Sequence, residues 1–141
     1  MANYYGTVRT NYFSVKDEAA FHKLMDSVMA EDEIHIFESE QTDGSKKFGF
    51  GCYGTISGIA SDPDDEDWPD RDRFLEALQE LVCENDAIIV TEIGNEKLRY
   101  VGGISTVITH TKIQYVDMVA ISVEVAGKSL GDPDYQTQMD Y

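Results

Sequence analysis

Cysteine, proline, tryptophan and basic side chains are all scarce in this chain, and each shortage removes a class of protein. The two cysteines, Cys52 and Cys83, form no C-x-x-C pair, which excludes a disulfide framework and a paired-thiol redox motif. Both are expected to be reduced and buried, in an intracellular setting. Three prolines leave no proline-rich linker to divide 141 residues, so one domain spanning 1–141 is expected. No apolar run approaches the roughly 18 residues that a membrane helix needs. The opening Met-Ala-Asn-Tyr-Tyr-Gly lacks the basic and apolar stretches of a secretory leader. A cytoplasmic protein without membrane contact is the expectation.

Lysine and arginine number 11 against 27 acids, a net charge of −16. Such a chain avoids nucleic-acid phosphates and is drawn to basic partners, so no direct nucleic-acid binding is expected. With 42% hydrophobic and 11% aromatic residues, an ordinary core is available.

Tyr4 to Val15 is rich in Tyr, Thr, Val and Phe and reads as a strand. Ser14-Val15-Lys16-Asp17 fits a helix-starting capping box. Phe21, Leu24, Met25, Val28 and Met29 then give one apolar stripe, predicting a helix over about 17–30. Residues 33–53 read as a hairpin turning at Thr42-Asp43-Gly44-Ser45. An acidic loop is expected over about 54–70, followed by a helix over 71–83 that buries Phe74, Leu75, Leu78, Leu81 and Val82. Further strands are expected at 86–92, 98–108 and 112–116, with a turn at Gly94-Asn95. Val119, Ile121, Val123 and Val125 alternate as in a strand. Met118, Ile121, Val125 and Leu130 equally fit a helix starting at Asp117, which is the reading taken, with a short tail from about 131. The order β-α-β-β-α-β-β-β-α predicts an α+β fold, a mainly antiparallel sheet of about five to six strands with two to three helices.

Several motifs fail on inspection. Gly49-Phe50-Gly51-Cys52-Tyr53-Gly54 matches G-x-G-x-x-G, but no helix start follows and the acids downstream would repel a pyrophosphate. Glycines in a twisted strand or bulge are the better account. A calcium loop begun at Asp62 would need Gly and Glu where Asp67 and Arg73 stand. His22, His35 and His110 have no metal-ligand spacing. Neither cysteine sits among bases that would activate it, and no carboxylate pair is singled out for acid–base work. No catalytic residue, metal ligand or cofactor is assigned; an enzyme would need a pocket joining Arg9 or Arg99 to a tyrosine.

The acids are concentrated. Residues 62–86 hold eleven against two arginines, net −9 in 25 residues, leaving −7 for the other 116. Asp72, Glu76, Glu80 and Glu84 recur every fourth residue after the run Asp64, Asp65, Glu66, Asp67. Like charges at that spacing on a helix repel by about 0.2–0.5 kcal/mol per pair. A solvated face that keeps the protein soluble is the plain explanation. The alternative is a partner-binding row, with charges about 6 Å apart along the axis, approaching the spacing of strand phosphates.

The opening Tyr4-Tyr5-Gly6-Thr7-Val8-Arg9-Thr10-Asn11-Tyr12-Phe13, followed by Val15-Lys16-Asp17, resembles small acidic accessory proteins of plasmids, phages and conjugative elements. Glu96-Lys97-Leu98-Arg99-Tyr100 and Leu130-Gly131-Asp132-Pro133-Asp134-Tyr135 resemble the same group. The resemblance covers about a fifth of the chain and implies a mobile-element accessory protein, some of which block host defence nucleases. It carries over no catalytic residues.

Two functions are therefore expected as alternatives. In the first, a non-enzymatic acidic protein mimics nucleic acid and fills the basic groove of a nucleic-acid-binding protein such as a CRISPR effector or restriction enzyme. In the second, an interaction module acts through an aromatic sheet surface built from Tyr4, Tyr5, Arg9, Asn11, Tyr12 and Phe13, for a partner or for a homodimer.

Overall fold

The computed structural model describes residues 4–62 and 65–138. Six strands form one antiparallel sheet: β1 (Tyr5–Thr10), β3 (His35–Glu40), β4 (Lys46–Tyr53), β7 (Ile88–Glu96), β8 (Tyr100–Ile108) and β9 (Ile113–Asp117), in the spatial order β3-β4-β1-β7-β8-β9. β2 (Met29–Ala30), β5 (Ile56–Asp62) and β6 (Asp65–Asp70) form a second, three-stranded sheet. The helices are α1 (Glu18–Asp26), α2 (Arg71–Leu81) and α3 (Met118–Leu130). The fold is thus α+β with a mainly antiparallel sheet.

Local chemistry explains the boundaries, including those that differ from expectation. Asp17, not Ser14, caps α1: its Oδ1 accepts from Ala20 N at 3.1 Å. Ser14 instead donates its N–H to Asp86 Oδ2 at 2.8 Å. α1 stops at Asp26, so Met29 lies in β2. The hairpin turn holds because Asp43 Oδ1 accepts from both the amide and hydroxyl of Ser45, which lowers the Asp43 pKa, while Gly44 takes φ 87°. Gly94-Asn95 is not a turn but lies inside β7; the chain reverses at Lys97, which adopts φ 51°. The expected acidic loop is a β5–β6 hairpin, with Ala60 opposite Pro69. Asp117 caps α3 through Ala120 N, as the helical reading of that segment required.

Residues paired across strands share a face, and alternation sends their neighbours to the other side. Val8 faces Cys52 on one neighbour, Val90 faces Thr106, and Ile88 faces Ile108. This face is buried and meets Phe21 and Met25 of α1 and Phe74, Leu75 and Leu78 of α2. The opposite face carries Tyr5, Thr7 and Arg9 of β1, Tyr53 of β4, Ile89 and Ile93 of β7, and Val101 of β8, all exposed. Met118 approaches that face at Gly103, where a Cβ would lie 3.6 Å from its Cε.

Leu78 is fully buried beneath the sheet while Glu80 is exposed. Leu78→Ala is expected to cost about 2–5 kcal/mol, and Glu80→Ala to stay within about 0.5 kcal/mol, both by urea unfolding. Equal losses would contradict this orientation of α2.

Candidate functional site

The carboxylate row is only partly assembled. Asp72, Glu76 and Glu80 are exposed on α2, but Glu84 lies beyond its end. The helix stops because Val82 turns extended and bridges Val15, while Lys16 N donates to Leu81 O and Cys83 N to Ser14 O. Asp70 caps the helix through Arg73 N, and Asp72 in the first turn complements the helix dipole. Glu76 Oε2 lies 3.7 Å from Arg73 Nη1, an exposed contact of small energetic weight. Asp64 lies outside the described residues, as do the side chains of Asp65, Glu66 and Asp67; the backbone of these last three runs in β6. Beside them Trp68 is 75% exposed.

The sheet surface is assembled differently from expectation. Asn11 is a structural peg. Its Nδ2 donates to Ala87 O at 2.9 Å and its Oδ1 accepts from Ile89 N at 2.8 Å, fastening the end of β1 to β7. Phe13 is fully buried, so it contributes to the core and not to a contact surface. Arg9 donates Nε to Thr10 O, and its guanidinium lies 4.2 Å from the Phe37 ring centroid and 5.5 Å from that of Tyr12. Such stacking holds a cation without a carboxylate. Tyr12 is 40% exposed at this cluster.

Tyr4 and Tyr5 point to opposite sides of β1. Gly6, Gly94 and Gly102 stand in register across β1, β7 and β8. A Cβ at Gly94 would collide with the Tyr4 phenol, and one at Gly102 with that of Tyr100, so the glycine row is what lets both rings lie on the strands. The two rings are 6.3 Å apart. Burial raises the Tyr4 pKa above 10.0, with Glu92, Tyr100 and Glu31 adding to the shift. Burial likewise raises Cys52, with Glu92, Asp32 and Glu31 contributing. Two neutral acids therefore register the same excess of negative charge. Arg71 reaches Glu92 at 3.2 Å, yet Glu31 and Asp32 remain exposed, and Glu31 accepts only a hydroxyl bond from Thr55 among the contacts described.

At this end of the sheet lies a groove of about 690 Å³. Tyr4, Tyr5 and Tyr53 contribute aromatic surface, Ile93 and Val101 apolar surface, and Glu31 and Asp32 negative charge. Among the described residues its lining holds no Lys, Arg or His. Tyr5 and Tyr53 are 67% and 68% exposed. At roughly 150–250 Å² per aromatic side chain, they alone present on the order of 200–300 Å². Tyr53, Glu31 and Asp32 were invisible as site residues in the sequence, because only the Thr7–Tyr53 register brings Tyr53 to the face of Tyr5 and only the β2–β5 pairing brings Glu31 to Gly54 and the Tyr4 side of the groove.

Cys52 is free and buried, whereas Cys83 is free but only half-buried. Among the described residues no group of His, Cys, Asp and Glu could hold a metal ion, and no helix is long and apolar enough to cross a membrane. Gly49 and Gly51 lie within β4 and a strand follows Gly54, so the glycine motif has no helix N-terminus to hold a phosphate. Comparison with protein-family models, curated proteins and solved structures finds no match.

Two measurements test these assignments. Asn11→Ala is expected to cost about 1–3 kcal/mol by removing its bonds to the partly buried Ala87 O and the exposed Ile89 N, read by urea unfolding. Because Tyr4 and Cys52 hold their protons more tightly folded than unfolded, their contribution is complete below about pH 9 and declines as pH rises further. The urea midpoint should hold up to about pH 9 and fall from there to about pH 11, and Tyr4→Phe with Cys52→Ala should flatten that fall.

Proposed function

We propose that this chain is a non-enzymatic binding module for a basic protein partner, engaged at the tyrosine and carboxylate groove. The observation that carries the reading is the groove's composition: three tyrosines, Glu31 and Asp32, and, among the described residues, no basic side chain. Tyrosine faces attract lysine and arginine side chains within about 6 Å, and flanking carboxylates add charge-assisted hydrogen bonds. A net charge of −16 steers basic surfaces toward the molecule. Proteins that bind nucleic acid carry such surfaces by necessity. A counter-defence role against a host nuclease, implied by the resemblance to mobile-element accessory proteins, fits that partner class.

Nucleic-acid mimicry by α2 is the second reading, favoured by the exposure of Asp72, Glu76 and Glu80 together on one helix. The pairing of Glu76 with Arg73 and the departure of Glu84 leave three carboxylates, one of them beside an arginine, in place of the row of four.

One experiment separates the two. Binding to a panel of basic nucleic-acid-binding proteins, host nucleases included, is measured at about 50 and 200 mM salt, where counterion-driven contacts differ by orders of magnitude. For a partner so found, Tyr5→Ala with Tyr53→Ala should weaken binding more than about tenfold, each lost aromatic contact counting about 1 kcal/mol or more, and Glu76→Lys with Glu80→Lys should leave it near wild type. The reverse pattern would establish the α2 row instead. Absence of binding across the panel, by a folded protein, would count against both.

A further inference from the structure

A helix that is apolar on all sides is normally a buried helix, and α3 is not buried. Eight of its thirteen residues are Met, Val, Ala, Ile or Leu, and Met118, Ile121, Val125 and Leu130 are 53%, 44%, 56% and 66% exposed. The helix rests on β8 and β9 and on its own tail, leaving Gly127 as its single buried residue. There the tail presses so closely that a Cβ would come 2.8 Å from Asp132 O. Beside α3, β9 is the terminal strand of the six-stranded sheet and, among the described residues, pairs with β8 alone. Its sequence Ile113-Gln114-Tyr115-Val116-Asp117 carries no lysine or proline, the usual guards of a free edge. The opposite edge, β3, carries Glu38 and Glu40.

Charge decides what fits this surface. Residues 113–130 contain Asp117, Glu124 and Lys128, so 1 − 2 = −1, and the other 123 residues carry the remaining −15. Glu124 and Lys128 lie 3.8 Å apart, and Asp117 accepts from Ala120 N. A basic partner is drawn to the acidic remainder of the molecule. Two copies of a chain at −16 repel almost everywhere and least here. An identical chain also supplies both things this surface lacks, a strand edge and an apolar helix, and a two-fold axis matches each patch to itself.

We propose that α3 and the free edge of β9 form an isologous interface with a second copy of this chain, adjoining the tyrosine groove at Met118 and leaving Tyr5 and Tyr53 outside it. Sedimentation or light scattering at about 10–100 μM tests it. The 141-residue chain is expected at twice 15.8 kDa, and Ile121→Asp with Val125→Asp at 15.8 kDa with an unchanged far-UV circular dichroism spectrum. Both side chains point to solvent in the protomer, so the substitutions spare its core. Tyr5→Ala with Tyr53→Ala should leave the dimer intact, which keeps this interface separable from partner binding at the groove. A monomeric wild type over that range would overturn the proposal. So would a dimer that survives both α3 substitutions.

Discussion

The rings of Phe48, Phe21, Phe13, Phe50 and Phe74 lie in a chain in that order, each 5.2–6.2 Å from the next, and this cluster ties both core helices to one face of the sheet. Edge-to-face and tilted pairs of this kind contribute about 0.5–1.5 kcal/mol beyond burial. They also set a constraint. With α1 and α2 both committed to the inner face, the chain has only α3 left to cover the outer one, and α3 reaches it at the Met118 and Gly103 corner. Exposed Tyr5, Tyr53, Ile93 and Val101 are the result.

The distribution of charge follows the same asymmetry. Acids gather on α2 and the β5–β6 hairpin, and at Glu31 and Asp32, whereas α3 and β9 are nearly neutral. An acidic protein with one uncharged patch has two kinds of surface, one attractive to bases and one tolerant of a copy of itself. The groove sits where they adjoin, since its lining runs from Glu31 and Asp32 to Met118 at the start of α3.

Periodicity was a good guide wherever a segment has one buried side. The hairpin of β3 and β4, the stripe of α2 and the cap of α3 at Asp117 were all legible, because each depends on neighbours within a few residues. Two of the errors share a cause. Val82 leaves α2 for a bridge to Val15, and Gly94 joins β7 because Gly6 pairs with it, so that a long-range backbone bond outweighed a local helix or turn signal. The supposed acidic loop instead pairs with itself, Ala60 opposite Pro69, although its sequence shows no strand alternation.

The sequence by itself determined the α+β class, the net negative charge and most of the core residues, because hydrophobic alternation and composition are local properties of the chain. Tertiary structure alone decided which candidates meet. Asn11 became a peg in β7 and Phe13 a core ring, while Glu31, Asp32 and Tyr53 joined Tyr5 at one groove. Strand register makes that choice, since a shift of one residue sends every side chain to the other face, and register is set by pairing between segments far apart in sequence.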